Sequence, residues 1–106
     1  DGKLPNNWTG FFGEDCWEFD PQRCQYYLHL FARTQADLNY HNPAVVEEVK
    51  DIMRFWLDMG VDGFREDVIT FISKTPGLPD AYPKLPAATG MSKYMNGPHI
   101  HDYLRE

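Results

Sequence analysis

The sequence lacks any long apolar run, and no stretch approaches the roughly 20 consecutive apolar residues of a membrane-spanning helix. Positive charge is also scarce, with 10 Lys and Arg residues against 16 Asp and Glu, for a formal net charge of -6. Because nucleic acids and anionic membranes are bound by clustered Lys and Arg, this balance argues against both as partners and fits a neutral or cationic ligand. No signal peptide is visible, and we expect a cytoplasmic protein.

Cysteine is equally sparse, with only Cys16 and Cys24 in the chain. His29 and His41 lie nearby in the sequence, but these residues do not match the spacing of a zinc site. A single disulfide and two free thiols are both compatible with the cysteine pair, and we favour free thiols in a reducing compartment. The sequence therefore predicts neither a metal ion nor a cofactor.

Aromatic residues are abundant, at 15% of the chain, and many lie among the glycine, proline and asparagine residues of positions 1–24. That segment has the composition of loops, and a strand is predicted to follow it at 26–31. Aromatic rings are common in sugar-binding clefts, although for any single ring a place in the core is the more frequent role.

The clearest predicted element is a helix from Pro43 to about Met59. Asn42 is a favourable N-cap, Pro43 suits the first helical position, and Gly60 permits the left-handed conformation that ends many helices. Apolar residues recur at helical spacing and form one face, at Val45, Val49, Ile52, Met53 and Trp56. A strand is predicted next, over 61–69, followed by a proline-rich loop and a second helix over 99–104.

Helix, glycine turn, strand, loop and helix in this order are typical of an α/β fold with a parallel sheet. A parallel strand needs neighbours and cover on both faces, however, and a single unit of this kind supplies neither. The first residue is Asp1 rather than Met. We therefore expect the chain to be part of a longer protein.

The residues most suited to chemistry are predicted on the strand over 61–69. Because side chains alternate along a strand, Arg65 and Asp67 would share one face and Glu66 would lie on the other. A guanidinium favours the ionised form of a neighbouring carboxylate, and an ionised carboxylate at the C-terminal end of a barrel strand can serve as a nucleophile. On spacing alone, a structural ion pair is the more frequent meaning of this pattern.

Five stretches resemble, in order and in spacing, motifs of the α-amylase superfamily in its oligo-1,6-glucosidase and α-glucosidase branch. They are PNNW with FFG at 5–13, YYLHLF at 26–31, QADLN at 35–39, GFREDV at 63–68, and ISK with GLPD at 72–80. The resemblance implies an α/β fold that is a fragment of a (β/α)8 TIM barrel. It also implies that residues 1–40 form the end of the inserted domain B and the return to the barrel, and that residues 41–106 form a barrel segment with the fourth strand.

The same resemblance implies a reaction. Asp67 matches the nucleophile of a retaining α-glucosidase, and Arg65 matches the arginine that orients it and helps to bind the sugar. The parent protein would be a monomer that hydrolyses short oligosaccharides through a glucosyl-enzyme intermediate on Asp67. Its acid/base glutamate would lie beyond Glu106, so the fragment alone would be inactive.

Four further residues match substrate contacts of this branch. Phe12 and Phe31 resemble the two phenylalanines that wall the subsite of the non-reducing glucose, and Gln35 resembles a glutamine at the same pocket. Val68 matches a valine that accompanies α-1,6 specificity, so isomaltose is the expected kind of substrate.

Several positions depart from related sequences. Ala36 replaces the proline of the QPDLN motif, and Glu66 replaces an apolar residue, so we expect a polar or basic partner for it or exposure at the end of the strand. In α-amylases the counterpart of Asp37 helps to bind calcium, but Phe71 stands where the calcium-binding histidine is expected. We therefore predict no calcium site here, and expect Asp37 and Asn39 to brace the turn before the helix.

Two other classes of protein remain open. The amylase-like heavy chains of amino-acid transporters are non-enzymatic binding relatives that lose catalytic carboxylates, so the Arg65–Asp67 pair counts against that class. A sucrose isomerase or a trehalose-6-phosphate hydrolase of the same branch would be distinguished mostly by residues outside this chain.

Overall fold

The computed structural model describes residues 2–80 and 100–105 of the chain. In order, the elements of this part are β1 (Trp17–Asp20), β2 (Gln25–Leu28), α1 (Pro43–Asp58), a 3-10 helix (Ile69–Phe71) and α2 (Ile100–Arg105). Within these ranges, no helix has both the length and the apolar character needed to cross a membrane.

The two strands form an antiparallel hairpin in which Trp17 pairs with Leu28. In the turn between them, Asp20 Oδ1 accepts a hydrogen bond from the Gln22 amide at 2.9 Å. The strand predicted over 26–31 is confirmed in its first part, but β2 ends at Leu28. The sequence does not predict β1, because that strand lies in a stretch whose glycines, prolines and asparagines are typical of loops.

A small core forms beside the hairpin. Its buried apolar side chains, among the residues that the structure describes, are Trp8, Cys16, Leu30 and Phe71. The chain passes this core closely at Gly10, where a Cβ atom would lie 2.9 Å from the Leu30 carbonyl oxygen. Phe71 follows helix α1 in sequence, so the core joins a late part of the chain to the N-terminal segment.

Both cysteines are free thiols, as predicted, with Cys16 buried and Cys24 exposed. Burial raises the pKa of the Cys16 thiol to about 12, and the carboxylates of Asp15 and Asp37 act in the same direction. The buried thiol therefore stays protonated at neutral pH and packs as a small apolar group.

Helix α1 confirms the predicted boundaries. The Asn42 side chain accepts a hydrogen bond from the Ala44 amide at 3.0 Å, Pro43 begins the helix, and Gly60 has a φ of 100° just beyond its end. None of the residues of α1 is buried. The predicted apolar face is therefore only partly covered, and Trp56 near its C-terminal end is 45% exposed.

The strand predicted over 61–69 is wrong for the chain in this structure. Residues 61–66 belong to no sheet, Val68 has a φ of 51°, and the 3-10 helix begins at Ile69. A parallel strand is held by hydrogen bonds to its neighbours, and the two strands of the described residues, β1 and β2, pair with each other and not with this segment. The segment therefore lies between α1 and the 3-10 helix as irregular chain and not as a strand.

The second predicted helix is confirmed as α2, whose first described residue is Ile100. The proline-rich loop predicted before it is described only as far as Asp80, and its continuation to His99 lies outside the described residues. Residues 78–80 contact residues 6–8 beside the hairpin.

Candidate active site

Arg65 and Asp67 lie on the segment that precedes the 3-10 helix. Arg65 Nη2 and Asp67 Oδ1 are 3.4 Å apart, and the two side chains are 83% and 71% exposed. An ion pair this open to water contributes little to stability, so the pair is poorly explained as a structural element of this chain. The predicted proximity of the two side chains is confirmed, and the catalytic role of Asp67 stays a prediction.

Arg65, Glu66 and Asp67 border a cleft of about 310 Å³ against helix α1. All three residues line this cleft, so the segment does not separate Glu66 from its neighbours as a flat strand would. Glu66 is exposed, which is one of the two outcomes expected for it. Tyr40 lines the same cleft, and partial burial raises its pKa, as do the carboxylates of Asp37 and Glu66.

Phe12 and Phe31, the predicted walls of the glucose subsite, contact each other. Their ring centroids are 6.4 Å apart and the rings are inclined by 71°. Phe11 extends this aromatic cluster, since its ring stacks on Phe31 at 4.6 Å and meets Phe71 edge-on at 5.4 Å. Phe12 is 68% exposed and Phe11 is 37% exposed, so Phe12 is the ring of this pair that is more open to solvent. The roles of Phe12 and Phe31 as substrate contacts stay predictions.

Hydrogen bonds hold the aromatic cluster in place. The Phe11 amide donates to the Leu30 carbonyl at 2.8 Å, and the buried His29 has its Nδ1 atom 2.9 Å from the Phe31 carbonyl oxygen. Sequence reasoning does not identify Phe11 or His29 as supports of the site. Their contacts depend on the packing of the hairpin against residues 10–12, which the spacing of the motifs does not predict.

Gln35 closes the turn that follows Phe31. Its backbone N–H donates to the Ala32 carbonyl at 2.9 Å. Its side-chain Oε1 accepts a hydrogen bond from the Ala32 backbone N–H at 3.3 Å. The side chain is thus tied to its own turn, while the residue as a whole is exposed, as is its neighbour Ala36. A contact between Gln35 and substrate stays a prediction.

Asp37 and Lys74 form an ion pair that the sequence does not predict. Lys74 Nζ lies 2.6 Å from Asp37 Oδ2, and the side chains of Lys74 and Asp37 are 7% and 24% exposed. Lys74 Nζ also donates to the Phe71 carbonyl, and His41 Nε2 lies 3.3 Å from the Lys74 carbonyl oxygen. This pair ties the segment after Asp67 to the turn before α1, and loss of Asp37 would leave the buried Lys74 ammonium without its carboxylate.

The turn before α1 is braced by Asn39, as predicted. Asn39 Oδ1 accepts a hydrogen bond from the His41 backbone N–H at 3.1 Å. The Asn39 backbone carbonyl accepts one from the Asn42 backbone N–H at 3.0 Å. Asp37 differs from the expectation, since its carboxylate contacts Lys74 instead. In the described part of the chain, no three His, Cys, Asp or Glu side chains are arranged to hold a metal ion.

Val68 directly follows the candidate nucleophile and has a left-handed backbone, with φ 51° and ψ 32°. This conformation is uncommon for a β-branched residue and marks a forced turn. It leads the chain into the 3-10 helix, where the Phe71 amide donates to the Val68 carbonyl at 3.0 Å. Val68 is 37% exposed, and its influence on specificity stays a prediction.

The whole chain matches a known protein family. The family described as alpha amylase, catalytic domain, matches residues 1–106. The chain therefore belongs to the α-amylase family, in agreement with the resemblance of its motifs.

The chain is similar to proteins whose names give different activities. The chain is 53% identical over 107 residues to an oligo-1,6-glucosidase of Parageobacillus thermoglucosidasius, covering 99% of this chain and 19% of that protein. It is 48% identical over 105 residues to a trehalose-6-phosphate hydrolase of Bacillus subtilis (strain 168), covering 99% and 18%. Among solved structures, it is similar to a trehalulose synthase of Pseudomonas mesoacidophila MX-45, with a TM-score of 0.85, 48% identity, and coverage of 98% and 18%. The chain thus spans less than a fifth of the length of these proteins.

Proposed function

We propose that the full-length protein containing this chain is a retaining α-glucosidase that hydrolyses short α-1,6-linked oligosaccharides such as isomaltose. In this proposal, residues 1–40 complete domain B and residues 41–106 form a segment of the (β/α)8 barrel. Family membership over the whole chain and the 53% identity to an oligo-1,6-glucosidase support the proposal.

The observation that carries the proposal is the exposed pair of Arg65 and Asp67, with 3.4 Å between guanidinium and carboxylate. Asp67 attacks the anomeric carbon of the terminal glucose while a second carboxyl group, about 5–5.5 Å away, protonates the leaving oxygen. Water then releases glucose from the ester on Asp67, with the second carboxylate as base. Arg65 contacts the carboxylate and holds it in the orientation needed for attack.

The aromatic cluster supports a sugar subsite beside this nucleophile. The exposed ring of Phe12 presents an apolar face to the C–H groups of a glucose ring, while Phe31 supports it from behind at 6.4 Å. Gln35, on the turn after Phe31, supplies a polar group at the rim of the same subsite. Val68 narrows the space in which the leaving sugar sits, and so favours the α-1,6 linkage.

A mechanism-based inactivator tests this assignment on the full-length protein. 5-Fluoro-α-D-glucosyl fluoride should accumulate as a glucosyl ester, and peptide mapping by mass spectrometry should place the label on Asp67. Glu66→Gln is the control, because the neighbouring carboxylate is not the proposed nucleophile and the variant should still be labelled. A label on Glu66, or on any residue other than Asp67, would contradict the proposal.

A second candidate is an isomerase of the same branch, for which the 48% identity to a trehalulose synthase is the supporting observation. Product analysis by NMR separates the two. Free glucose from isomaltose, with little product from sucrose, supports the glucosidase. A rearranged disaccharide formed from sucrose would replace it with the isomerase.

A further inference from the structure

Two distant segments of the chain, residues 6–8 and residues 78–80, are joined by hydrogen bonds, and we refer to them together as the clasp. The bonds are Asn6 Nδ2 to the Leu78 carbonyl at 3.1 Å, Trp8 Nε1 to the Pro79 carbonyl at 2.9 Å, and the Asn7 amide to Asp80 Oδ1 at 3.0 Å. Their partners are separated by 71 to 73 residues in the sequence.

The N-terminal side of the clasp is buried and well paired. Asn6 is 5% exposed and Trp8 is 1% exposed. Asn6 Oδ1 accepts hydrogen bonds from the Trp8 amide at 3.1 Å and from Trp17 Nε1 at 2.8 Å. A buried polar network in which the groups find partners has a defined geometry, because any shift leaves a buried donor or acceptor unpaired. The clasp is therefore a specific joint rather than a loose contact.

The clasp connects the two halves of the candidate active site. Residues 6–8 lead directly to Phe11 and Phe12, and the Phe11 amide is bonded to the Leu30 carbonyl at 2.8 Å. Residues 78–80 end the segment that begins after Asp67 and that is anchored midway by the buried Lys74. Movement at the clasp therefore shifts the aromatic cluster relative to the nucleophile segment.

We propose that Asn6 and Trp8 are positioning residues that hold Phe12 at its working place beside Asp67, an inference that rests on the proposed glucosidase function. Neither residue contacts the reacting atoms. A displaced Phe12 weakens apolar contact with the C–H face of the bound glucose, away from the bond that breaks, in the ground state and in the transition state alike. Loosening the clasp therefore raises KM and leaves kcat nearly unchanged.

The test compares two identical substitutions in the full-length protein. Trp8→Phe removes the Nε1 donor that crosses to Pro79, whereas Trp56→Phe makes the same change on helix α1, outside the clasp and the candidate site. With p-nitrophenyl α-glucoside as substrate, we expect KM to rise about 3- to 10-fold in Trp8→Phe, the scale of one buried hydrogen bond, with kcat within about twofold. KM in Trp56→Phe should stay within about twofold of the wild type.

A second pair of variants at the exposed Asp80 avoids any change in the core. Asp80→Ala removes the acceptor of the Asn7 amide, and Asp80→Asn keeps an acceptor oxygen there. KM should rise about threefold to fivefold in Asp80→Ala and return to the wild-type value in Asp80→Asn. This pair decides the question if Trp8→Phe does not fold.

Hydrogen exchange of residues 9–14 adds a readout that is independent of turnover, because it reports on the Phe11 amide. Exchange should be faster in Trp8→Phe than in Trp56→Phe. A wild-type protein with no glucosidase activity overturns the proposed function. An active wild type whose Trp8→Phe and Trp56→Phe variants share the same KM, or whose Asp80→Ala and Asp80→Asn variants do, overturns the positioning role alone.

Discussion

The hairpin region (residues 6–31) and the helix region (residues 43–69) differ in how they are stabilised. The hairpin region has paired strands and contributes three of the four buried apolar side chains that the structure describes. The helix region has well-formed ends but no buried residue in α1, and its exposed apolar side chains include Ile52, Phe55, Trp56 and Leu57 at 45–56% exposure. The side chains of the hairpin region pack largely against one another. The helix region presents an apolar surface that no other described part of the chain buries.

The difference shows which features a short chain can specify alone. A helix boundary depends on local groups such as the Asn42 cap, whereas helix stability in water depends on burial of an apolar face. The candidate site draws on both regions, with Phe12 and Phe31 in one and Arg65 and Asp67 in the other. The proposed catalysis therefore depends on the hairpin region, which has a buried core, and on the helix region, whose apolar face is uncovered.

The largest expected effect separates activity from stability in the helix region. In the full-length protein, Asp67→Ala should lower kcat by at least about a thousandfold, because no other group supplies the nucleophile. The melting temperature should hardly change, since the side chain is 71% exposed. Asp62→Ala, at another exposed aspartate of the same segment, is the control and should keep activity. Near-wild-type hydrolysis of an aryl α-glucoside by Asp67→Ala would contradict the assignment.

Expression of residues 1–106 alone tests the comparison directly. We expect no glucosidase activity and no cooperative thermal transition, because the second catalytic carboxyl is absent and the apolar face of α1 meets water. Hydrogen exchange should nevertheless protect amides of the hairpin more than those of α1. A folded monomer with a single sharp transition would show that both regions are self-sufficient. Measurable turnover would require a second catalytic carboxylate within the chain, with Glu66 the first to examine.

Two tryptophans measure how each region is buried in the full-length protein. Trp8→Ala should lower the free energy of unfolding by about 3–5 kcal/mol, since the side chain is 1% exposed in the core. Trp56→Ala should cost at least about 2 kcal/mol if the rest of the barrel covers α1, although Trp56 is 45% exposed here. Denaturant unfolding of both variants checks this. A neutral Trp56→Ala would mean that the open face of α1 persists in the whole protein.

The smallest expected effect concerns linkage preference. Val68→Thr keeps the shape of the side chain and replaces a methyl group beside Asp67 with a hydroxyl group, so the isomaltose-to-maltose ratio of kcat/KM should fall by roughly threefold to tenfold. Val45→Thr, the same substitution on α1, is the matched control and should leave the ratio unchanged. An unchanged ratio in Val68→Thr would show that this residue does not set specificity.

Sequence reasoning performs best where the determinants are local. The ends of α1 follow from Asn42, Pro43 and Gly60, and the proximity of Arg65 and Asp67 follows from a spacing of two residues. The strand over 61–69 is the clearest failure. Its residues suit a parallel sheet, but its hydrogen-bonding partners are not among the described residues.

Contacts between distant residues account for the remainder. The Lys74–Asp37 pair and the bond from Trp8 to Pro79 join positions with no fixed spacing, so no pattern in one sequence reveals them. The motifs that contain these residues are recognisable, yet a motif does not state which other motif it contacts. The stacking of Phe11 on Phe31 is hidden for the same reason.

During synthesis, Trp8 is made well before Pro79, whose carbonyl accepts its hydrogen bond. Pro79 lies 71 residues later in the chain, so at about 5–20 residues per second it is made roughly 4–14 s after Trp8. Phe71, the last of the core residues that the structure describes, is also made late. During that interval the nascent chain exposes an indole ring and an incomplete core, and in this period the protein is most open to chaperone binding and aggregation.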